Sequence, residues 1–155
     1  MDFSDLTDII DFAISQEQEA ADFYRRISEK EAQIDKKDLF LQFADEEEKH
    51  LKLLESLKSG STAIALEDYR FTWITDIKRS NYVADLVYTP GMPYRDILML
   101  AAKREEKSLE LYNLLFEKAK NEVAGRVFKM LCQEEARHKL VLESTLDAYM
   151  AEMGD

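Results

Sequence analysis

The chain has 155 residues, of which 46% are hydrophobic and 34% charged, and its formal net charge is −11. This length favours one domain with a substantial core, and the presence of only four glycines and two prolines favours a helical bundle over a β-sandwich, a β-barrel or a disordered chain. The acidic balance argues against nucleic acid and anionic membrane surfaces as partners. A single cysteine, Cys132, excludes a four-cysteine metal site within this sequence.

Helical periodicity dominates the chain, and glycines and prolines mark its interruptions. The spacing of apolar residues predicts four long helices over about residues 5–30, 36–57, 93–121 and 123–153. Residues 58–92 contain Gly60, Pro90 and several aromatic residues, including Trp73. We expect this segment to form a long crossover with a short helix near residues 81–87.

The second half of the chain repeats the first at an offset of 88 residues. The register holds through both helices and the turn between them, and the identical pairs include Asp8/Asp96, Ile9/Ile97, Ala13/Ala101, Glu17/Glu105, Tyr24/Tyr112, Phe40/Phe128, Glu47/Glu135, His50/His138 and Leu54/Leu142. A repeated two-helix unit with a long crossover predicts an all-α, ferritin-like four-helix bundle that fills a single domain over residues 1–155.

Each predicted helix carries ionisable residues on its apolar stripe. The first and third helices contribute one glutamate each, and the second and fourth each contribute a Glu-x-x-His pair, whose two members share a helix face. One such pair on an acidic helix is ordinarily incidental, and it is compatible with zinc or with a salt bridge. Two pairs in register with two further glutamates predict one inward-facing cluster, which comprises Glu17, Glu47, His50, Glu105, Glu135 and His138.

The chemistry of this cluster predicts a site for two metal ions. Four carboxylates facing one another in a core are very unfavourable unless they are protonated or neutralised. Two divalent cations supply the compensating charge, and the neutral imidazoles supply nitrogen ligands. A mixed set of carboxylates and imidazoles suits iron, with manganese or zinc as alternatives.

These residues resemble the rubrerythrin-like branch of the ferritin-like superfamily. The resemblance covers residues 8–57 and 96–145 and rests on Glu17-x-x-Ala20-x-x-Phe23-Tyr24, Glu47-x-x-His50, Glu105-x-x-Ser108-x-x-Leu111-Tyr112 and Glu135-x-x-His138. It implies that the six residues of the cluster bind two iron ions, with Glu47 and Glu135 as bridging ligands. It also implies an oxidoreductase that reduces hydrogen peroxide, or dioxygen, in defence against oxidative stress.

The sequence departs from typical members of this branch at two points. Typical members carry a rubredoxin domain with four cysteines, so we expect this chain to receive electrons from a separate protein such as a rubredoxin. Typical members also have a glutamate one turn after the ligand of the third helix, where this chain has Ser108, as in the more symmetric ferroxidase pattern of bacterioferritins. Two alternatives therefore stay open: a ferroxidase or iron-handling protein with the same site, and a non-enzymatic helical module that metal stabilises.

Several further residues have two possible interpretations. Tyr24 and Tyr112 are either core residues or partners of the ligand carboxylates with a role in catalysis. Glu46 and Glu134 are either solvated or accept a hydrogen bond from the histidine of the opposite helix. Apolar residues off the central stripe favour a homodimer, and these are Leu41, Leu51, Leu53, Leu100 and Leu114.

The location of the protein is predicted from its N-terminal residues and its hydropathy. The sequence begins with acidic residues and lacks the basic and apolar regions of a signal peptide. No stretch approaches the roughly 18 apolar residues of a membrane span. We therefore expect a cytoplasmic protein.

Overall fold

The four helices of the fold lie close to their predicted positions. The computed structural model describes residues 6–30, 37–59, 74, 87–119 and 122–153. The helices are α1 (Leu6–Lys30), α2 (Lys37–Ser59), α3 (Tyr94–Lys118) and α4 (Glu122–Glu152). Each bound lies within three residues of its prediction, and the all-α four-helix bundle is confirmed.

The predicted crossover lies largely outside the described residues, as do Trp73 and the expected short helix near residues 81–87. Its first two residues, 58 and 59, belong to the last turn of α2. At its other end, Tyr88 packs edge-on against Phe23 of α1, with 6.0 Å between the ring centroids. This contact fixes the chain beside the C-terminal half of α1, just before α3 begins.

A tight turn and a proline together start α3. The Met92 N–H donates to the Thr89 carbonyl at 3.1 Å, and Gly91 has a φ of 85°, a conformation that favours glycine. Proline followed by glycine at the two central positions is the sequence preference of a type II turn. Pro93 then caps the helix, and its carbonyl accepts the N–H groups of the first turn.

Two apolar clusters show how the helices run. One joins the C-terminal half of α1 and of α4 to the N-terminal half of α2 and of α3. The other joins the opposite ends of the four helices. The ends that meet in each cluster show that α1 and α4 run in one direction and that α2 and α3 run in the other. Since α1 packs on α2 and α3, and α4 packs on α3 and α2, neighbouring helices are antiparallel. A parallel pair needs a connection that returns along the bundle, which is why a long segment separates α2 from α3.

The off-stripe leucines divide between the core and the surface. Leu100 is only 7% exposed and packs in the first apolar cluster, so it cannot form part of an exposed apolar surface in this fold. Leu41 and Leu114 are exposed, and Leu51 and Leu53 are half-buried. None of the described helices is both long enough and apolar enough to cross a membrane.

Candidate metal centre

The six residues of the predicted cluster meet in a polar layer between the two apolar clusters. All of them are buried, and their exposed fractions are 2% for Glu17, 0% for Glu47, 3% for His50, 2% for Glu105, 0% for Glu135 and 1% for His138. Each lies near the middle of its helix, on the same stripe as the large apolar residues. The helical spacing that buries the core therefore also turns these ionisable side chains inward.

The cluster divides into two groups of four, each able to hold a metal ion. The first, here called the His50 group, comprises Glu17, Glu47, His50 and Glu135. The second, the His138 group, comprises Glu47, Glu105, Glu135 and His138. Within each group, one ligand atom from every residue lies within 4.8 Å of the others. Glu47 and Glu135 belong to both groups, as bridging ligands would.

Both imidazoles direct Nδ1 toward the carboxylates. In the His50 group, Nδ1 lies 3.3 Å from Glu135 and 3.6 Å from both Glu17 and Glu47. In the His138 group, Nδ1 lies 3.0 Å from Glu47. It is also 3.4 Å from Glu105 and 3.5 Å from Glu135. The two rings are nearly parallel, with an interplanar angle of 23° and centroids 5.9 Å apart.

Eight buried polar atoms of the cluster have no hydrogen-bond partner among the described residues. They are Glu17 Oε2, Glu105 Oε2, both carboxylate oxygens of Glu47 and of Glu135, His50 Nδ1 and His138 Nδ1. Buried polar atoms of this kind cost free energy and are rare without a partner. Oxygen and imidazole nitrogen atoms converging on two points are a suitable donor set for iron. The residues present therefore fit a pair of metal ions.

Two tyrosines each hold one carboxylate oxygen, of Glu17 or of Glu105. The Tyr24 hydroxyl on α1 donates to Glu105 Oε1 on α3 at 2.5 Å, and the Tyr112 hydroxyl on α3 donates to Glu17 Oε1 on α1. Burial raises the pKa of Tyr24 well above its usual value, and the nearby Glu105 carboxylate raises it further. The pKa of Tyr112 is raised by burial and by Glu17. Both phenols therefore keep their protons and act as hydrogen-bond donors.

Glu46 and Glu134, which are equivalent in the repeat, make different contacts. Glu46 on α2 accepts a hydrogen bond from Nε2 of His138 on α4, as one of the two sequence interpretations expected. This hydrogen bond lowers the pKa of Glu46 to about 2, although partial burial opposes the shift. Glu134 instead pairs with Arg137 of its own helix at 2.5 Å. The carboxylate contacts of His50 in the described part of the chain all run through Nδ1.

The pKa values of the two shared carboxylates show how strongly the metal-free cluster favours protons. Burial raises the pKa of Glu135 to about 8, with a further contribution from Glu105 and Glu17. The pKa of Glu47 is raised well above its usual value by burial and by the charge of Glu135. Burial also opposes ionisation of Glu17, but the charge of His50 and the hydrogen bonds to Glu17 together outweigh it, and the pKa of Glu17 is lowered.

The pKa values of both histidines are raised as well, because the surrounding carboxylates favour the charged imidazolium form. Burial lowers the pKa of His138, yet Glu105 and the other carboxylates outweigh it and raise the pKa to about 10. Against the same effect of burial, Glu17 and Glu135 raise the pKa of His50 well above its usual value. Protons therefore neutralise part of the cluster when no cation is bound, and cations that bind there must displace them.

The surroundings of Cys132 do not favour a reactive thiolate. Its Sγ donates to Asn113 Oδ1 at 3.4 Å. Burial raises the pKa of the thiol to about 12, and the charge of Glu135 contributes to the shift. Because the thiolate is the reactive form, this protonated cysteine is a packing residue.

Comparison with protein families agrees with the geometry. The family model described as Rubrerythrin matches residues 8–146, a range that includes all six residues of the cluster and both tyrosines. The chain belongs to the rubrerythrin family. No curated protein and no solved structure gave a match. Membership confirms the resemblance drawn from the sequence, and the buried carboxylate and imidazole cluster of this rubrerythrin-family protein is compatible with a di-iron site.

One contact of the site was absent from the sequence predictions. The ring of Phe43 stacks on the imidazole of His138, with centroids 4.1 Å apart and an interplanar angle of 22°. The apolar stripe predicted Phe43 only as a core residue. The one available signal was its position one turn before Glu47, which places it beside the Glu-x-x-His pair of its own helix. Helix spacing could not predict its contact with His138, which lies on α4.

Proposed function

We propose that this protein is a di-iron oxidoreductase that reduces hydrogen peroxide. The observation that carries the proposal is the pair of buried four-residue groups that share Glu47 and Glu135. In this assignment Glu17 and His50 would hold one iron ion, Glu105 and His138 would hold the other, and the shared glutamates would contribute to both positions. When bound, the iron pair supplies the two electrons that, with two protons, convert peroxide to two molecules of water.

The protein side chains position the ligands and exclude water. Tyr24 and Tyr112 each fix one oxygen of a cluster carboxylate, and the other oxygen of each carboxylate has no hydrogen-bond partner among the described residues. Their raised pKa values make the phenols poor acids near neutral pH. We therefore assign them a positioning role, with protons for the reaction taken from other groups. The apolar clusters above and below the polar layer keep the site in a low-dielectric environment, where its charges interact strongly.

A ferroxidase is the second candidate, and the near symmetry of the two groups favours it. Each group contains one histidine, one glutamate held by a tyrosine and the two shared glutamates. Ser108, half-buried on α3, stands where typical relatives supply an additional carboxylate. In this alternative, Fe(II) is a substrate that enters and leaves the site.

Stopped-flow spectroscopy separates the two activities. Chains loaded with Fe(II) under anaerobic conditions are mixed with hydrogen peroxide or with dioxygen, and iron absorbance and iron content are followed. A peroxidase reacts faster with peroxide and retains its iron. Faster oxidation by dioxygen, with continued oxidation of added Fe(II), would favour the ferroxidase.

The partners of the protein follow from the same proposal. Return of the oxidised iron pair to the reduced state requires an electron donor, for which we propose a separate protein such as a rubredoxin. We also propose a homodimer in the cytoplasm, with the exposed Leu41 and Leu114 as candidate interface residues. Sedimentation velocity tests the dimer, and a monomer at micromolar concentration would contradict it.

A further inference from the structure

The two histidines have equivalent positions in the repeat but different surroundings. We propose that Glu46 makes the two metal positions unequal, so that the His138 group binds its ion first and more tightly and the His50 group holds the exchangeable ion. This inference rests on the proposed metal centre and concerns the order in which its positions fill.

The outer nitrogen of His138 is held by a carboxylate. Nε2 donates to Glu46, whose other oxygen accepts a hydrogen bond from Gln42 Nε2 at 2.9 Å. A proton on Nε2 leaves the lone pair of the neutral ring on Nδ1, which is the atom directed to the carboxylates of the group. The contact therefore selects the tautomer that binds metal.

The face of the His138 imidazole ring is also packed against a neighbour. Phe43 stacks on the ring, whereas the residue equivalent to Phe43 in the repeat is Leu131, which packs in the second apolar cluster. Glu134, the equivalent of Glu46, is paired with Arg137. Phe43 and Glu46 thus constrain the ring of His138 at its face and at its outer nitrogen. In the described part of the chain, Leu131 and Glu134 make no such contact with His50.

The other ligands do not distinguish the two positions. Glu47 and Glu135 belong to both groups, and the remaining glutamate of each group accepts a hydrogen bond from a tyrosine. We therefore assign the difference in affinity to the surroundings of the histidines. A carboxylate on the outer nitrogen fixes the orientation of a ligating imidazole and raises its basicity, and removal of such a partner typically lowers metal affinity about 10–100-fold.

Anaerobic titration with Co(II), followed by its visible absorption, tests the order of filling. Wild-type protein is expected to bind two ions in two separated steps. Glu46→Gln should weaken the first step about 10–100-fold and bring the two steps together. The matched control is Glu134→Gln, at the equivalent position of the repeat, which should leave both steps unchanged.

Two further variants assign the steps to the groups. His138→Ala should remove the tight step, and His50→Ala should leave it with its ligand-field spectrum intact. Circular dichroism of each metal-free variant verifies that the helices are formed, so that a lost step is not a lost fold.

The possible outcomes separate the order of filling from the existence of the site. Two ions bound with equal affinity in the wild type, equal effects of Glu46→Gln and Glu134→Gln, or loss of the tight step in His50→Ala would each overturn the inference and leave the metal centre standing. Absence of Co(II) binding in the folded wild type would overturn both the inference and the proposed function.

Discussion

The Tyr24 hydroxyl on α1 donates a hydrogen bond of 2.5 Å to Glu105 on α3, and the repeat returns the same contact from Tyr112 to Glu17. The tyrosine of each two-helix unit thus holds a glutamate of the other unit, Glu105 or Glu17. The two contacts cross the polar layer in opposite directions. They link the formation of the site to the packing of α1 against α3.

Replacement of Tyr24 by phenylalanine should weaken metal binding without unfolding the protein. A hydrogen bond to a charged group contributes about 1.5–3 kcal/mol, and about 1.4 kcal/mol corresponds to a tenfold change in affinity. We therefore expect at least a roughly tenfold weaker Co(II) step for the His138 group. Tyr149→Phe is the control, because Tyr149 packs on Tyr94, outside the cluster. Equal affinities for Tyr24→Phe and wild type would show that the hydroxyl does not position the ligand.

Replacement of Glu47 by glutamine should stabilise the metal-free protein at pH 7 while reducing its metal binding. The raised pKa of Glu47 means that the folded state must take up a proton that the unfolded state does not hold. A neutral amide removes that requirement, which costs about 1.4 kcal/mol for each pH unit above the pKa of the unfolded state. Urea denaturation in the presence of a chelator measures the free energy of unfolding.

Glu17→Gln is the matched control for this experiment, with the opposite expected sign. The pKa of Glu17 is lowered because His50 favours its ionised form, so its removal should destabilise the metal-free protein. At pH 4 the advantage of Glu47→Gln should disappear, because Glu47 is then protonated in most unfolded chains as well. Destabilisation by both substitutions at pH 7 would contradict the assigned protonation states.

The stability of the metal-free protein should fall as the pH rises. The folded pKa of His138 is about 10 against an ordinary value of 6.5, so its stabilising contribution is complete below pH 6.5 and lost as the pH rises through 10. The raised pKa of Glu135, about 8 against 4.5, gives a loss between pH 4.5 and 8. The steepest decline is therefore expected between pH 6.5 and 8, where the two ranges overlap.

Thermal unfolding from pH 5 to pH 10, with chelator or with saturating metal, checks this dependence. Bound cations displace the protons, so metal affinity should increase with pH and the decline should be reversed or much reduced. Stability that increases from pH 6.5 to 8 in the metal-free protein would contradict the predicted shifts.

The fold could be predicted well from the sequence because the helical spacing of apolar residues determines most of it. Apolar spacing placed every helix end within three residues, and the rubrerythrin-family membership drawn from the cluster is confirmed. The repeat register predicted that Glu17 and Glu105 would lie level with the two Glu-x-x-His pairs, and the structure brings the six side chains together. Their role as metal ligands stays a prediction.

The repeat could not predict the asymmetry of the site. It predicts the same environment for His50 and His138, whereas the actual environments depend on residues that differ between the halves, such as Phe43 against Leu131. A second unpredicted feature is the buried ion pair of Lys139 and Glu143, 2.9 Å apart on α4, because charges four residues apart ordinarily lie on a solvated face. Such features depend on neighbours that only the folded chain supplies.

Anaerobic loading with Fe(II), followed by titration with hydrogen peroxide, tests the central claim most directly. We expect two iron ions per chain and complete oxidation by one peroxide per chain, because each peroxide takes two electrons. Iron content should be much lower in Glu135→Ala, which removes a carboxylate common to both groups. Far fewer than two ions per wild-type chain, or two ions that peroxide does not oxidise, would contradict the assignment of this protein as a di-iron peroxide reductase.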